Sequence, residues 1–190
     1  ALHWHPDMPL YNLGMSWCYG NLLYEADSAE LYTHRANELA PMWVMPFVRM
    51  GEAFSTSFQQ YDKARQYFEM AEQIDSTAAI VLEGWANFYF DQKNYAEAER
   101  YLNRLLADPD ATVCMSCARS LLGTTYLETG RFAQAEAVFR NLIAYDPTYS
   151  DARISLGKVL ARTGRTTEAE AEIRKGAELL GPPSSPDLGT

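Results

Sequence analysis

The most reactive side chains in this sequence are the thiols of Cys114 and Cys117, set as Cys114-Met115-Ser116-Cys117. Two cysteines at this spacing can close a small disulfide, exchange disulfides with another thiol, or supply half of a zinc site. The third cysteine, Cys18, is far off in the chain, so four zinc ligands do not assemble from cysteine. Covalent haem attachment requires His directly after the second Cys, and Ala118 stands there. A thioredoxin-like site needs a strand before the motif, and no strand pattern precedes it. The pair therefore reads as a disulfide or two thiols at a helix start, where the helix N-terminus favours thiolate. Catalytic redox chemistry is the alternative.

A second constellation is Ala1-Leu2-His3. If Ala1 is the true free amino terminus, the amine, two backbone amides and the His3 imidazole can offer four nitrogens in a plane to Cu(II) or Ni(II). His5 could assist. The remaining histidine, His34, also lies in the least regular part of the chain. There is no G-x-x-x-x-G-K-[ST] phosphate loop and no G-x-S-x-G nucleophile elbow. The many carboxylates fall on positions that read as exposed helix faces. The expectation is a protein that is not an enzyme and needs no cofactor.

The 190 residues are enough for one domain with a sizeable core, and 47% apolar with 22% charged residues fits a folded protein. The net charge of -9 repels nucleic acid and anionic membrane surfaces, because affinity for phosphate comes from Lys and Arg. A neutral or basic protein or peptide is the expected partner. No apolar run reaches the ~20 residues of a membrane helix; the longest, Pro41 to Val48, contains two prolines. If Ala1 is a processed N-terminus the protein is expected to be exported, periplasmic or extracellular; if the chain is a piece of a longer one, it is expected in the cytoplasm.

What must position these residues is a repeat. Leu156-Gly157, Leu160, Gly164, Ala169, Ile173 and Ala177 recur about 34 residues upstream as Leu122-Gly123, Tyr126, Gly130, Ala135, Phe139 and, further on, Pro147. Trp85-Ala86, Tyr89, Tyr95, Ala98, Leu102 and Pro109 form another unit, and Phe47, Met50-Gly51, Phe54, Tyr61, Ala64, Phe68 and Ala71 one before it. A worn unit keeps Leu13, Ala29, Ala36 and Pro41 but lacks the Leu-Gly pair. The pattern L-G-x2-Y, A-x3-F, P resembles the tetratricopeptide repeat. Five repeats are read, at about 10–43, 44–78, 79–112, 116–149 and 150–183, as one domain. A segment 1–9 precedes it and a flexible tail, 184–190, follows. Extra residues within Ala111 to Met115 imply a loop or a change of pitch. The resemblance implies an all-α, right-handed superhelical solenoid of antiparallel helix pairs. Ala98, Ala135 and Ala169 sit where helices touch; Trp85, Tyr89, Tyr126 and Phe139 fill the layers between them. Met42, Trp43, Met45 and Phe47 are expected in the core.

In this family the first helices line a concave groove. Carried onto this sequence, the stripe reads Glu52, Ser55, Thr56; Glu83, Asn87, Phe90, Asp91; Thr124, Leu127, Glu128; and Lys158, Ala161, Arg162. Phe90 and Leu127 are expected to be exposed apolar anchors within an acidic groove that has one basic end. A branch of the family grips chaperone carboxylates with Lys, Asn and Arg at such positions; Glu52, Glu83 and Glu128 carry the opposite sign. The expected function is a scaffold or adaptor holding a protein or peptide. Its rival is a structural subunit that self-associates through its terminal repeats or decorates a larger assembly. Ile173, Ala177 and Leu180 on the last helix lack a following repeat to cover them.

Overall fold

The structure, a computed structural model, describes residues 5–181 of the chain. His3 and the expected tail from 184 onward lie outside the described residues. Among the described residues there are ten α-helices, one π-helical turn and no strand. The chain groups into two compact units, Ala1–Val113 and Cys114–Thr190. The first holds α1 (Pro9–Cys18), the π-helical turn (Tyr19–Leu23), α2 (Ala26–Leu39), α3 (Met45–Thr56), α4 (Tyr61–Ile74), α5 (Ala79–Asp91) and α6 (Tyr95–Leu106). The second holds α7 (Met115–Glu128), α8 (Phe132–Tyr145), α9 (Ser150–Arg162) and α10 (Thr166–Leu180). Helices pack in consecutive antiparallel pairs, from α1 with α2 to α9 with α10. Within the first unit α1 also touches α3 and α3 touches α5; within the second, α7 touches α9. First helices thus lie beside first helices.

Sequence periodicity produces these pairs. Helix α4 buries Ala64, Tyr67, Phe68 and Ala71, and α6 buries Ala98, Tyr101, Leu102 and Leu105. The i, i+3, i+4, i+7 spacing puts each set on one stripe. A small residue begins each stripe and lets the partner axis come close. Gly157 is the tightest case: a Cβ there would lie 3.0 Å from the Ala169 carbonyl oxygen and against Ile173.

The turn inside each pair is closed by a left-handed residue. At Gly164 (φ 80°) the chain reverses, and the Arg165 N–H donates to the Leu160 carbonyl at 2.9 Å. The Arg131 N–H reaches Tyr126 O at 2.8 Å around Gly130 (φ 74°). These 6→1 bonds satisfy carbonyls that the helix end leaves free. Between α6 and α7 the chain runs as a loop in which Asp108 Oδ1 accepts from the Asp110 N–H at 3.0 Å. The expected extra residues lie there.

The expected Met-rich core around residue 42 is only partly formed. Phe47 is buried, Trp43 and Met45 are half-buried, and Met42 is 80% exposed. Met42 sits in the turn between α2 and α3, where no helix packs over it.

Candidate protein-binding face

Helix α1 inverts the polarity of an ordinary surface helix. It buries Asn12 and Ser16 while leaving Leu10 66% and Trp17 49% exposed. The buried groups are held by polar partners. Asn12 Nδ2 donates to Pro6 O at 2.7 Å and Met8 O at 2.9 Å. Ser16 Oγ and Thr33 Oγ1 share a hydrogen bond of 2.6 Å, and the Thr33 hydroxyl also lies 2.9 Å from Ala29 O. Helical spacing sets Leu10, Leu13, Gly14 and Trp17 on one face. With Arg49 of α3 they line a shallow open depression. A Cβ added at Gly14 would meet nothing within 4 Å, so the depression has an open floor.

Beside this apolar surface lies a charged one. Arg49 Nη1 donates to Glu52 Oε2 at 2.8 Å along α3. Partial burial, and then the charge of Glu52, raise the Glu83 carboxyl above the ordinary range, with Arg49 acting the other way. Two carboxylates therefore share one guanidinium, and the excess is negative. Further along α5, Asn87 and Asp91 are exposed. Although Asp91 reaches solvent, loss of hydration from its surroundings raises its carboxyl too. Thr56 is exposed, and its hydroxyl donates to Glu52 O at 2.8 Å.

Several expected groove positions are placed differently. Leu127 is buried, 7% exposed, in the cluster of the second unit with Ala135, Phe139 and Leu142. Phe90 is half-buried, its ring 5.6 Å from that of Tyr95. Both stand in the last turn of a first helix, where a long apolar side chain folds onto the second helix instead of facing outward. Ser55 is buried as well, 7% exposed. Thr124 is half-buried and donates back to Ser120 O at 3.0 Å. Glu128, Lys158, Ala161 and Arg162 are exposed on α7 and α9 of the second unit.

The structure adds Leu10, Leu13, Gly14, Trp17 and Arg49, which were not expected in the stripe. A signal for four of them was present. The apolar i, i+3, i+4, i+7 set of α1 coexists with Asn12 and Ser16 on another face, and a helix cannot bury both. Cys114 and Cys117 are joined by a disulfide at the start of α7, and both are exposed. Among the described residues no group of three or more His, Cys, Asp or Glu is placed to hold a metal ion. No described helix is long and apolar enough to cross a membrane.

Two profiles of the tetratricopeptide repeat match the chain, one over residues 56–112 and one over residues 120–181. The chain belongs to the tetratricopeptide-repeat family. Its fold class is accordingly an all-α helical repeat, and its general role is that of a protein–protein interaction scaffold. Proteins of the family are generally non-enzymatic. Among curated proteins, the chain is 24% identical over 161 residues to anaphase-promoting complex subunit 3 of Schizosaccharomyces pombe. That match covers 83% of this chain and 23% of that protein, so the chain spans under a quarter of the relative's length. Among solved structures it is similar to PilW, a type IV pilus biogenesis factor. The TM-score is 0.79 at 20% identity, covering 92% of this chain and 79% of that one. It is also similar to pilF of Pseudomonas aeruginosa, with TM-score 0.75, 20% identity, and coverage of 92% and 78%. These structural likenesses concern the fold.

Proposed function

We propose that the chain is a scaffold that captures a segment of another protein on the first-helix face of its first unit. The observation that carries this reading is the inverted helix α1, which holds Leu10 and Trp17 outward beside the Arg49–Glu52–Glu83 cluster. An exposed Trp is a strong contact residue, since truncated aromatic anchors dominate the energetics of interfaces. The surplus carboxylate asks for a cation. The segment that fits is a neutral or basic one, with an apolar side chain for the α1 depression and Lys or Arg toward Glu52 and Glu83. Asn87 and Asp91 extend the same surface along α5. Thr124, Leu127, Glu128, Lys158 and Arg162 of the second unit, expected in the stripe by family register, are not part of this proposed site.

Selection from a random peptide library on the immobilised protein tests this reading. The enriched peptides should pair an apolar residue with a nearby Lys or Arg. Trp17→Ala or Glu83→Lys should weaken them at least about tenfold, the effect of losing one interface anchor. Lys158→Glu should leave them unchanged. Peptides that bind Trp17→Ala and Glu83→Lys as tightly as the parent protein would sink the proposal.

A second reading, a self-associating structural subunit, is supported by α10. Ile173 is 40% and Leu180 63% exposed, with Ala177 exposed between them at helical spacing. Sedimentation of the parent protein against Ile173→Glu distinguishes it, because only a stacking subunit changes mass with that substitution. Export is the compartment that the Cys114–Cys117 disulfide and the likeness to pilus biogenesis factors support. Cell fractionation decides that point.

A further inference from the structure

We propose that Cys114 and Cys117 form a reversible thiol–disulfide exchange site, with Cys114 as the attacking sulfur, independent of the binding face on the first unit. Four observations converge. The two cysteines are bonded to each other across a separation of three residues. Both are exposed, so an incoming thiol or disulfide can reach either sulfur. Cys114 is the N-cap of α7, a helix of 14 residues, and its Sγ accepts a hydrogen bond from the Cys117 N–H at 3.2 Å. Finally, the first turn of α7 carries no acidic residue to compete for the positive end of the helix.

A purely structural staple accounts for these features less well. A disulfide stabilises a fold by restricting the unfolded chain, and the restriction grows with the length of the loop it closes. A bond between residues three apart closes close to the shortest loop there is. It also duplicates a constraint that α7 already imposes. Meanwhile the hydrogen bond from the Cys117 N–H does not need the sulfur–sulfur bond. In the reduced protein the same N–H, together with the helix N-terminus, stabilises a thiolate on Cys114. The cap of α7 therefore persists in both redox states, which lets the pair cycle without unfolding the helix.

The chemistry balances as two exchanges. The Cys114 thiolate attacks one sulfur of an external disulfide. This forms a mixed disulfide on Cys114 and expels the other half as a thiolate. The Cys117 thiol, losing its proton to solvent, then attacks Cys114 Sγ and expels the second half. The protein dithiol gives up two electrons and two protons, and the external disulfide becomes two thiols. The reverse sequence, driven by an external dithiol, returns the reduced protein. The substrate class is an exposed disulfide or dithiol, whether on a small thiol or on another protein.

The experiment uses the full chain with Cys18→Ser, so that only this pair reports. The protein is equilibrated with oxidised and reduced glutathione in varied ratio, quenched by alkylation, and read by mass spectrometry, with circular dichroism alongside. The pair is expected to convert reversibly with helicity unchanged. In the reduced protein, iodoacetamide should modify Cys114 at least about tenfold faster than Cys117, as thiolate content dictates. Cys117→Ser should trap a glutathione mixed disulfide on Cys114. Cys114→Ser should form the corresponding adduct on Cys117 about tenfold more slowly. A disulfide that reduces only in denaturant, or equal alkylation of the two cysteines in folded protein, would overturn the proposal. Loss of helicity on reduction would overturn it too, and would make the bond a structural staple.

Discussion

The two units build the same helix pair by different means. In the first, every turn inside a pair places a non-glycine residue in the left-handed region: Tyr24 (φ 57°), Gln59 (φ 54°) and Lys93 (φ 60°). The second uses Gly130 and Gly164 there. The first unit has an aromatic core in which the Trp85 ring lies 5.3 to 5.7 Å from those of Phe68, Phe88, Tyr89 and Tyr101. The second packs Leu142, Leu156, Val159 and Leu160 around the fully buried ring of Phe139. Charges differ as well. In the second unit Arg165 bridges Glu136 at 2.7 Å and Glu168 at 2.6 Å, and Arg140 reaches Glu136 at 2.7 Å. In the first, Glu52 and Glu83 share Arg49 beside an exposed Trp. Locally consistent choices mark a region optimised for folding, and departures from them concentrate where a surface has another task. By that measure the departures of the first unit fall where the proposed binding face lies.

The largest effects should come from the cores. Trp85 is 2% exposed among four rings, so Trp85→Ala should cost about 3–5 kcal/mol in denaturant unfolding. Gly157→Ala forces a methyl group toward the Ala169 carbonyl oxygen and Ile173, and overpacking of that kind costs about 1–3 kcal/mol. Hydrogen exchange should speed up in α5 and α6 for the first variant and in α9 and α10 for the second. If Trp85→Ala costs no more than Gly157→Ala, the aromatic core does not hold the first unit as described, and the contrast fails there.

Much of this was legible in the sequence because repeat packing leaves a periodic trace. Ala98, Ala135 and Ala169 are all buried at helix contacts, as their register requires. Gly130 and Gly164 take the positive φ that their place after a helix suggests. The site was less legible, for two physical reasons. Register fixes where a backbone position falls, not where a long side chain goes, so Leu127 turned into the core and Phe90 toward Tyr95. In the worn first repeat the polar residues Asn12, Ser16 and Thr33 occupy the interior. The Ser16–Thr33 hydrogen bond crosses from α1 to α2, and nothing in the local sequence announces that pairing. Once the interior was polar, Leu10 and Trp17 had to face outward.

The turns offer a smaller, signed test. A left-handed conformation costs an L-residue on the order of 1–2 kcal/mol. Gly164→Ala should therefore destabilise by about 1 kcal/mol. Lys93→Gly should stabilise by only a few tenths, since glycine also loses more chain entropy on folding. Thermal unfolding of the two single variants checks the signs. A loss of stability in Lys93→Gly would show that the Lys93 side chain, not its backbone, matters to that turn, and would remove one of the three differences between the units.

The smallest effects are the most discriminating, because they should run in opposite directions with pH. Hydrogen bonds from Arg140 and then Arg165 hold the Glu136 carboxyl below the ordinary range. A depressed value means that its stabilisation is present above the unfolded carboxylate value of about 4.3 and fades as pH falls through the folded one. Glu136→Gln should lower stability at pH 7 by under about 1 kcal/mol, the scale of a solvent-screened pair. Glu83 is the reverse case. Burial and Glu52 raise it, so the folded state holds that proton more tightly than the unfolded chain. Its contribution is favourable below about 4.3 and is lost as pH rises through the elevated folded value. At pH 7 the charged group opposes folding, and Glu83→Gln should raise stability by less than about 1 kcal/mol. Chemical denaturation at pH 7 and pH 3 should show the two variants straddling the parent protein at neutral pH and rejoining it in acid. If both destabilise at neutral pH, the acidic cluster of the first unit is an ordinary surface pair like those of the second. If they straddle, the first unit keeps a carboxylate at a cost to its own folding, which a basic segment bound against Glu83 would offset.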